Sequence, residues 1–291
     1  MTPEPVALVE GRLYALAHPY ELDGRASSHP PEMRGYATIN SYLLLEGNRA
    51  TLIDTGMSIH EDALIAQLEA LLPPDAELTV WLMRIGEFPS LCNARPIIER
   101  FKAEAVYGTF DDSLLWADFR PEHVPAGSAA GSGALEGVES RLIGAGAVVP
   151  AGPDGTRELF ILNAPLRLLP TIWIYDADTK TLFTSDCFNY GILENESDRP
   201  VVDRVEDVDR EALHEQLVGG RNWWLPGAQT ASIRDQIAAT FAERDVARLA
   251  PGFGSIYEGR DVVEHVVATL LEEMESIERL EPIVEATPRV G

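Results

Sequence analysis

The stretch "ATINSYLLLEGNRATLIDTG", residues 37–56, decides the fold. Two apolar arms, Ala37–Leu45 and Ala50–Asp54, flank the turn residues Glu46–Arg49, the pattern of a β-hairpin. In "SIHEDALIAQLEALLPP", residues 58–74, apolar side chains recur at Ile59, Leu64, Ile65, Leu68, Leu71 and Leu72, near the helical period, until Pro73 and Pro74 stop it. Next comes "LTVWLMRIGEFPSLCNARPIIERF", residues 78–101, in which a buried strand, Leu78–Met83, leads through a turn to a helix at about Ala94–Phe101. The turn holds Arg84, Gly86, Glu87, Phe88, Pro89, Ser90, Leu91 and Cys92. Turns at the carboxyl ends of strands in α/β proteins are where ligands and catalytic groups gather. This one offers few donor atoms.

Outward from there, Arg12–His18 predicts a first strand, and the second half repeats the order of the first. Strands at Glu158–Asn163, Thr171–Tyr175 and Thr181–Ser185, the last ending at Asp186, precede helices at about Asp209–Val218 and Thr230–Ala242. A short strand, "ARLAP", and a last helix, Asp261–Leu280, follow. The Gly/Ala-rich segment 125–156 contains β-branched residues between Arg141 and Val149, so it predicts a loop and short strands inside one domain spanning 1–291. Two strand-then-helix halves predict an α/β protein in which two packed sheets carry helices outside, a four-layered αββα sandwich.

The chain has 291 residues, a formal net charge of −24 and a pI near 4.5. Such a surface repels phosphate backbones and anionic lipid, which argues against nucleic-acid and membrane partners. The 23 basic residues include two lysines, Lys102 and Lys180; an Arg-rich, Ala-rich chain reflects composition before mechanism. No apolar run approaches the ~18 residues of a membrane span, and the amino terminus does not have the pattern of a secretory leader. Cys92 and Cys187 do not form a disulfide framework, and the expected compartment is the reducing cytoplasm.

The order of motifs resembles the metallo-β-lactamase fold. "NSYLLLEGNRATLIDTG" is similar to its entry hairpin, "LFTSDCF" to the strand whose terminal Asp bridges two metals, and "LAPGFGSIY" to its closing strand and loop. Within that superfamily the chain resembles the diiron domain of flavodiiron and oxygen-binding diiron proteins, from about Leu13 to Leu271, with no flavodoxin domain following. The resemblance implies a dinuclear iron site, O2 or NO chemistry and a head-to-tail homodimer. Its metal turn, His-x-Glu-x-Asp-His, falls on Gly86, Phe88, Ser90 and Leu91. The His that precedes Trp-Pro in the family falls on Leu168 or, shifted by one, Arg167, and the closing His on Phe253. Asp186 is the one ligand retained among these positions.

Glycine, phenylalanine and leucine offer no donor to a metal, and the six histidines (18, 29, 60, 123, 214 and 265) show no ligand spacing, so no metal is expected at this site. The replacements would place Phe88, Leu91, Leu168 and Phe253 facing one another. Asp186 beneath them needs a partner, because an unpaired buried carboxylate is costly. Arg84 and Arg167 are the candidates; the alternative is that Asp186 caps the following turn.

Three functions follow. The first is a metal-free member binding a small organic molecule or cofactor in an apolar pocket lined by Arg84, Gly86, Phe88, Ser90, Leu91, Cys92, Arg167, Leu168, Phe253 and the flat surfaces of Trp223 and Trp224. The second is a metal-independent enzyme using Asp186 or Glu87 as acid or base, with Cys92 or Cys187 as a nucleophilic or redox group. The third is O2 or NO handling through an unconventional iron or haem site. Buried free cysteine and core tryptophan are the bland readings of the last-named residues.

Overall fold

The computed structural model describes residues 3–26, 28–110, 113–117, 135, 137–152, 155–167, 169–218 and 222–280. The hairpin of residues 37–56 forms as expected, with β3 (Tyr36–Glu46) against β4 (Arg49–Ile53). Gly47, at φ +63°, is the first residue of the two-residue turn between them, where a right-twisted hairpin favours glycine. Around this pair the first sheet runs in chain order: β1 (Val6–Val9), β2 (Leu13–Glu21), β3, β4, β5 (Glu77–Trp81), β6 (Ala105–Gly108) and β7 (Glu139–Leu142). Its first half is antiparallel, and β4 to β7 are parallel.

The parallel half needs crossovers, which α1 (Glu61–Leu71), the single turn α2 (Phe88–Leu91), α3 (Ala94–Phe101) and α4 (Ser113–Ala117) supply. The second sheet contains β8 (Val148–Pro150), β9 (Glu158–Asn163), β10 (Ile172–Asp176), β11 (Thr181–Ser185), β12 (Val201–Val202), β13 (Arg248–Pro251) and β14 (Ile256–Glu258). Their spatial order is β12-β14-β13-β11-β10-β9-β8. Three helices, α5 (Arg210–Val218), α6 (Ala231–Glu243) and α7 (Arg260–Ile277), complete the chain.

Alternation along the strands builds three separate cores. In β10, Ile172 and Ile174 face the first sheet, while Trp173 and Tyr175 join the cluster that α5, α6 and α7 cover. In β5, Trp81 faces the second sheet and Leu78 and Val80 pack under α1 and α3 with Leu64, Leu68, Ile97 and Ile98. Three apolar layers between four structural layers make the αββα sandwich anticipated from sequence. The short strands β1, β6, β12 and β14 were not anticipated, because two to four residues carry too little alternation to register. Of segment 125–156, residues 125–134, 136, 153 and 154 lie outside the described residues; β7 and β8 fall within it and join opposite sheets.

Candidate functional site

Two strands end in the same way where the sheets meet. Just beyond β4, Asp54 takes φ +57°, and the last residue of β11, Ser185, takes φ +55° immediately before Asp186. Left-handed backbone at a non-glycine residue costs of order 1 kcal/mol or more and persists where its surroundings hold it. Here they do: Asp54 N–H donates to the Trp81 carbonyl at 2.8 Å, and the Ser185 carbonyl accepts Gly252 N–H at 2.8 Å. Both kinks turn carboxylates inward, and Asp54 and Asp186 are buried.

The group between them is Arg84. Its backbone forms an isolated bridge with Thr171, which ties the end of β5 in one sheet to the start of β10 in the other. The side chain is fully buried, with 0% of it exposed. Its Nη1 lies 2.5 Å from Asp186 Oδ1 and 3.2 Å from Glu87 Oε2, and its Nη2 lies 3.3 Å from Asp54 Oδ2. Phe253 covers the guanidinium, with Cζ 4.6 Å from the ring centroid. On another side Gly252 makes room: a Cβ there would stand 2.9 Å from Nη2 and 3.3 Å from Cζ.

Asp54 is held further by Met83 N–H at 2.9 Å and by the Ser90 hydroxyl, which also accepts Arg84 N–H at 3.3 Å. Thr55 donates its backbone N–H and its hydroxyl to the Ser90 carbonyl, both at 3.0 Å, and Asn93 donates to the carbonyls of Thr55 and Met57. The turn of residues 84–93 is thereby fastened to the end of β4. Burial alone would lower the Arg84 pKa, but Asp186 and Asp54 outweigh it and the pKa goes up. Burial raises the Asp54 pKa against the opposing pulls of Arg84, Ser90 and Met83 N–H. One guanidinium among three carboxylates leaves a formal balance of −2 when all are ionised. The arrangement fixes a cation between acids and leaves the locality negative.

The predicted site residues separate into groups. Arg84, Glu87, Ser90, Asp186 and Phe253 come together, and Asp186 has the arginine partner its burial requires. Gly86 lies at the surface with φ +94° and open space around it, and Phe88 is 58% exposed. Leu91 points the other way, into the core under α1 and α3. The expected ring of facing apolar side chains is therefore not formed by the described residues, because the single turn α2 sends its side chains in opposite directions; Leu168 lies outside the described residues.

Arg167 is not the partner of Asp186. It is exposed and donates to the Asn163 side chain at 2.9 Å and to the Ala164 carbonyl. Cys187 packs among Phe188, Trp173 and Leu213 on the helix side of the second sheet, where burial drives its thiol pKa far above the usual range. Cys92 is partly buried, and burial raises its pKa too, so neither thiol has an environment that favours thiolate. Trp223 and Trp224 are 56% and 39% exposed on a turn fastened to α7 through Gly227 N–H and the Ile277 carbonyl. They lie at the surface and not in the core. Sequence reasoning missed Asp54 and Gly252, although "IDTG" and "APGFG" each flag a strand ending in a glycine-bearing turn.

Two seven-stranded sheets with helices outside match known proteins throughout. Rubredoxin:oxygen oxidoreductase from Desulfovibrio gigas superimposes with a TM-score of 0.67 at 16% identity, covering 94% of this chain and 62% of that one. The flavodiiron protein of Giardia intestinalis gives 0.66 at 13%, covering 94% and 60%. The fold is that of the flavodiiron core. A fragment, residues 1–254, of a putative diflavin flavoprotein from Nostoc sp. PCC 7120 gives 0.64 at 15% and is covered over 99% of its length, as is 96% of this chain. The chain thus spans about 60% of the length of the first two relatives. No protein-family model and no curated protein sequence matches it.

Proposed function

We propose that this chain is a metal-independent member of the flavodiiron-type metallo-β-lactamase fold, in which Arg84 serves as the cation of the site. The observation that carries this is the fully buried guanidinium contacting Asp54, Glu87 and Asp186 at once. The diiron pair that the fold implies does not suit these residues. Gly86, Phe88, Leu91 and Phe253 offer no ligand atoms, and among the described residues no group of three or more His, Cys, Asp or Glu side chains is placed to hold a metal. A bound iron would also have to displace the arginine from its carboxylates.

The activity this supports is binding at the surface turn that carries Gly86, Glu87 and Phe88, beside the buried Arg84. Three acids around one base disfavour an anionic ligand, while an exposed Phe88 and the carboxylate of Glu87 suit a neutral or cationic organic molecule. Choline and benzoate, titrated separately into the full chain, test this. Choline binding that falls about tenfold in Phe88→Ala or Glu87→Gln is expected; tighter binding of benzoate contradicts the reading. The same reading carries a homodimer in the cytoplasm, with Trp223 and Trp224 as apolar surface, and light scattering tests the stoichiometry. No helix among the described residues is long and apolar enough to cross a membrane.

A further inference from the structure

Along the parallel strands, from Ile53 and Trp81 at their carboxyl ends back to Arg49 and Glu77 at their amino ends, the inner face of the first sheet passes from apolar to polar. Their register lines up rows across the first sheet's inner face: Ile53, Trp81, Tyr107 and Arg141 in one; Thr51, Thr79, Ala105 and Glu139 in the next; Arg49 and Glu77 in the last. The first row stacks. Trp81 lies 4.5 Å from Tyr107, and the Arg141 guanidinium lies 5.3 Å from the Tyr107 ring centre. Because β5 and β7 flank β6, these two contacts cover opposite faces of Tyr107.

The layer that should cover these rows is thin. Opposite them stand Pro150, Ala151, Gly152 and Gly155, which carry little side chain, and a cavity of about 400 Å³ remains. That volume falls in the range of small-molecule sites. The charged residues that line it are Arg49, Glu77 and Arg141; Arg49 pairs with Glu77 at 3.0 Å, and Arg141 is neutralised from outside the lining by the exposed Glu139 at 2.5 Å. Neither an anion nor a cation is selected by net charge. Two hydroxyls line it, Thr51 Oγ1 and Thr79 Oγ1, only loosely in contact at 3.4 Å; Thr79 also accepts Trp81 Nε1–H at 3.1 Å and donates at 3.4 Å to the Ala50 carbonyl. Hydroxyls both donate and accept. The aromatic stack offers ring edges, whose C–H groups are the positive part of the quadrupole and favour oxygen.

We propose that this pocket binds a small, neutral, hydroxyl-rich molecule, a polyol or a monosaccharide. Both threonine hydroxyls and the two charge pairs supply mixed donors and acceptors that such a ligand satisfies simultaneously, and an aromatic anion or an organic cation satisfies only in part. The site is separate from Arg84 and does not depend on the reading of it.

The experiment is calorimetric titration of the full chain with myo-inositol and with glucose, using benzoate and choline as class controls. Saturable binding of one polyol between about 10 μM and about 1 mM is expected. It should weaken about tenfold in Thr51→Val/Thr79→Val, which keeps side-chain shape and strand preference. Arg141→Gln, at an exposed position, gives a second variant if the double one fails to fold, and should weaken binding as well. Absence of saturable polyol binding, equal affinity in a folded variant, or tighter binding of benzoate or of choline at this pocket overturns the proposal.

Discussion

Arg84 holds Asp186 across 2.5 Å from the opposite sheet, with 0% of the arginine side chain and 4% of the aspartate exposed. The pair is both the candidate site and a clasp between the two layers. Buried ion pairs contribute little over an apolar substitute, but removing one member strands a buried charge. Arg84→Ala is therefore expected to lose roughly 3–5 kcal/mol in chemical denaturation. Asp186→Asn should lose less, since Asp54 and Glu87 still face the guanidinium.

The Arg84→Ala loss should depend on pH. Without the arginine, Asp54 loses the main pull that opposes its burial, so its raised folded-state pKa rises further, the native state binds more protons and stability rises as pH falls. Compared with wild type, the deficit should shrink between about pH 8 and about pH 5. A deficit constant with pH would mean that lost packing, not stranded charge, is the cause.

Gly252 and Gly86 separate two reasons for a glycine. A Cβ at Gly252 meets Arg84 at 2.9 Å, and that side chain is pinned by Phe253 and the carboxylates. Gly252→Ala should cost about 1–3 kcal/mol by overpacking. Gly86→Ala meets open space and pays only for its φ of +94°, about 1 kcal/mol. Thermal denaturation of both variants checks the order.

His18 sets an acid limit. It is 1% exposed, stacked 5.0 Å from His60, and its pKa falls to about 4 through burial, with the charge of His60 adding to the effect. A depressed imidazole pKa means the unfolded chain takes up the proton first, so stability is full above the ordinary His pKa and is lost as pH falls from there toward about 4. The loss amounts to roughly 3 kcal/mol. Urea unfolding across that window should show a shallower acid slope for His18→Leu than for wild type.

What was legible in the sequence was what local pattern encodes. The two apolar arms around Glu46–Arg49 and the period in Ile59–Leu72 marked the hairpin and α1, and the helix predicted at Asp209–Val218 forms at Arg210–Val218. That a buried Asp186 would need a partner, with arginine one candidate beside backbone amides and a turn-capping role, was also visible, since burial of a lone carboxylate is costly whatever the fold. The choice between Arg84 and Arg167 was not visible, because it depends on the bridge from Arg84 to Thr171. Nor was the part played by Asp54, whose direction is set by a left-handed backbone and by hydrogen bonds from residues 83 and 90. The apolar ring expected around the site failed for a similar reason: adjacent positions on α2 point to opposite sides, and a turn read as a string does not show which.

The cysteines give a simple chemical check. Native protein treated with iodoacetamide near neutral pH should leave Cys187 unmodified and label Cys92 slowly, because burial raises the pKa of both thiols. Mass spectrometry after digestion reads both positions. Rapid labelling of Cys187 would contradict its placement in the helix-side core.

The central claim, that a guanidinium takes the place of metal between Asp54 and Asp186, is tested most directly by elemental analysis of the full chain purified from iron-supplemented cells. Iron, manganese and zinc are each expected far below one atom per chain. Stoichiometric iron that disappears in Asp186→Asn while the variant stays folded would contradict it.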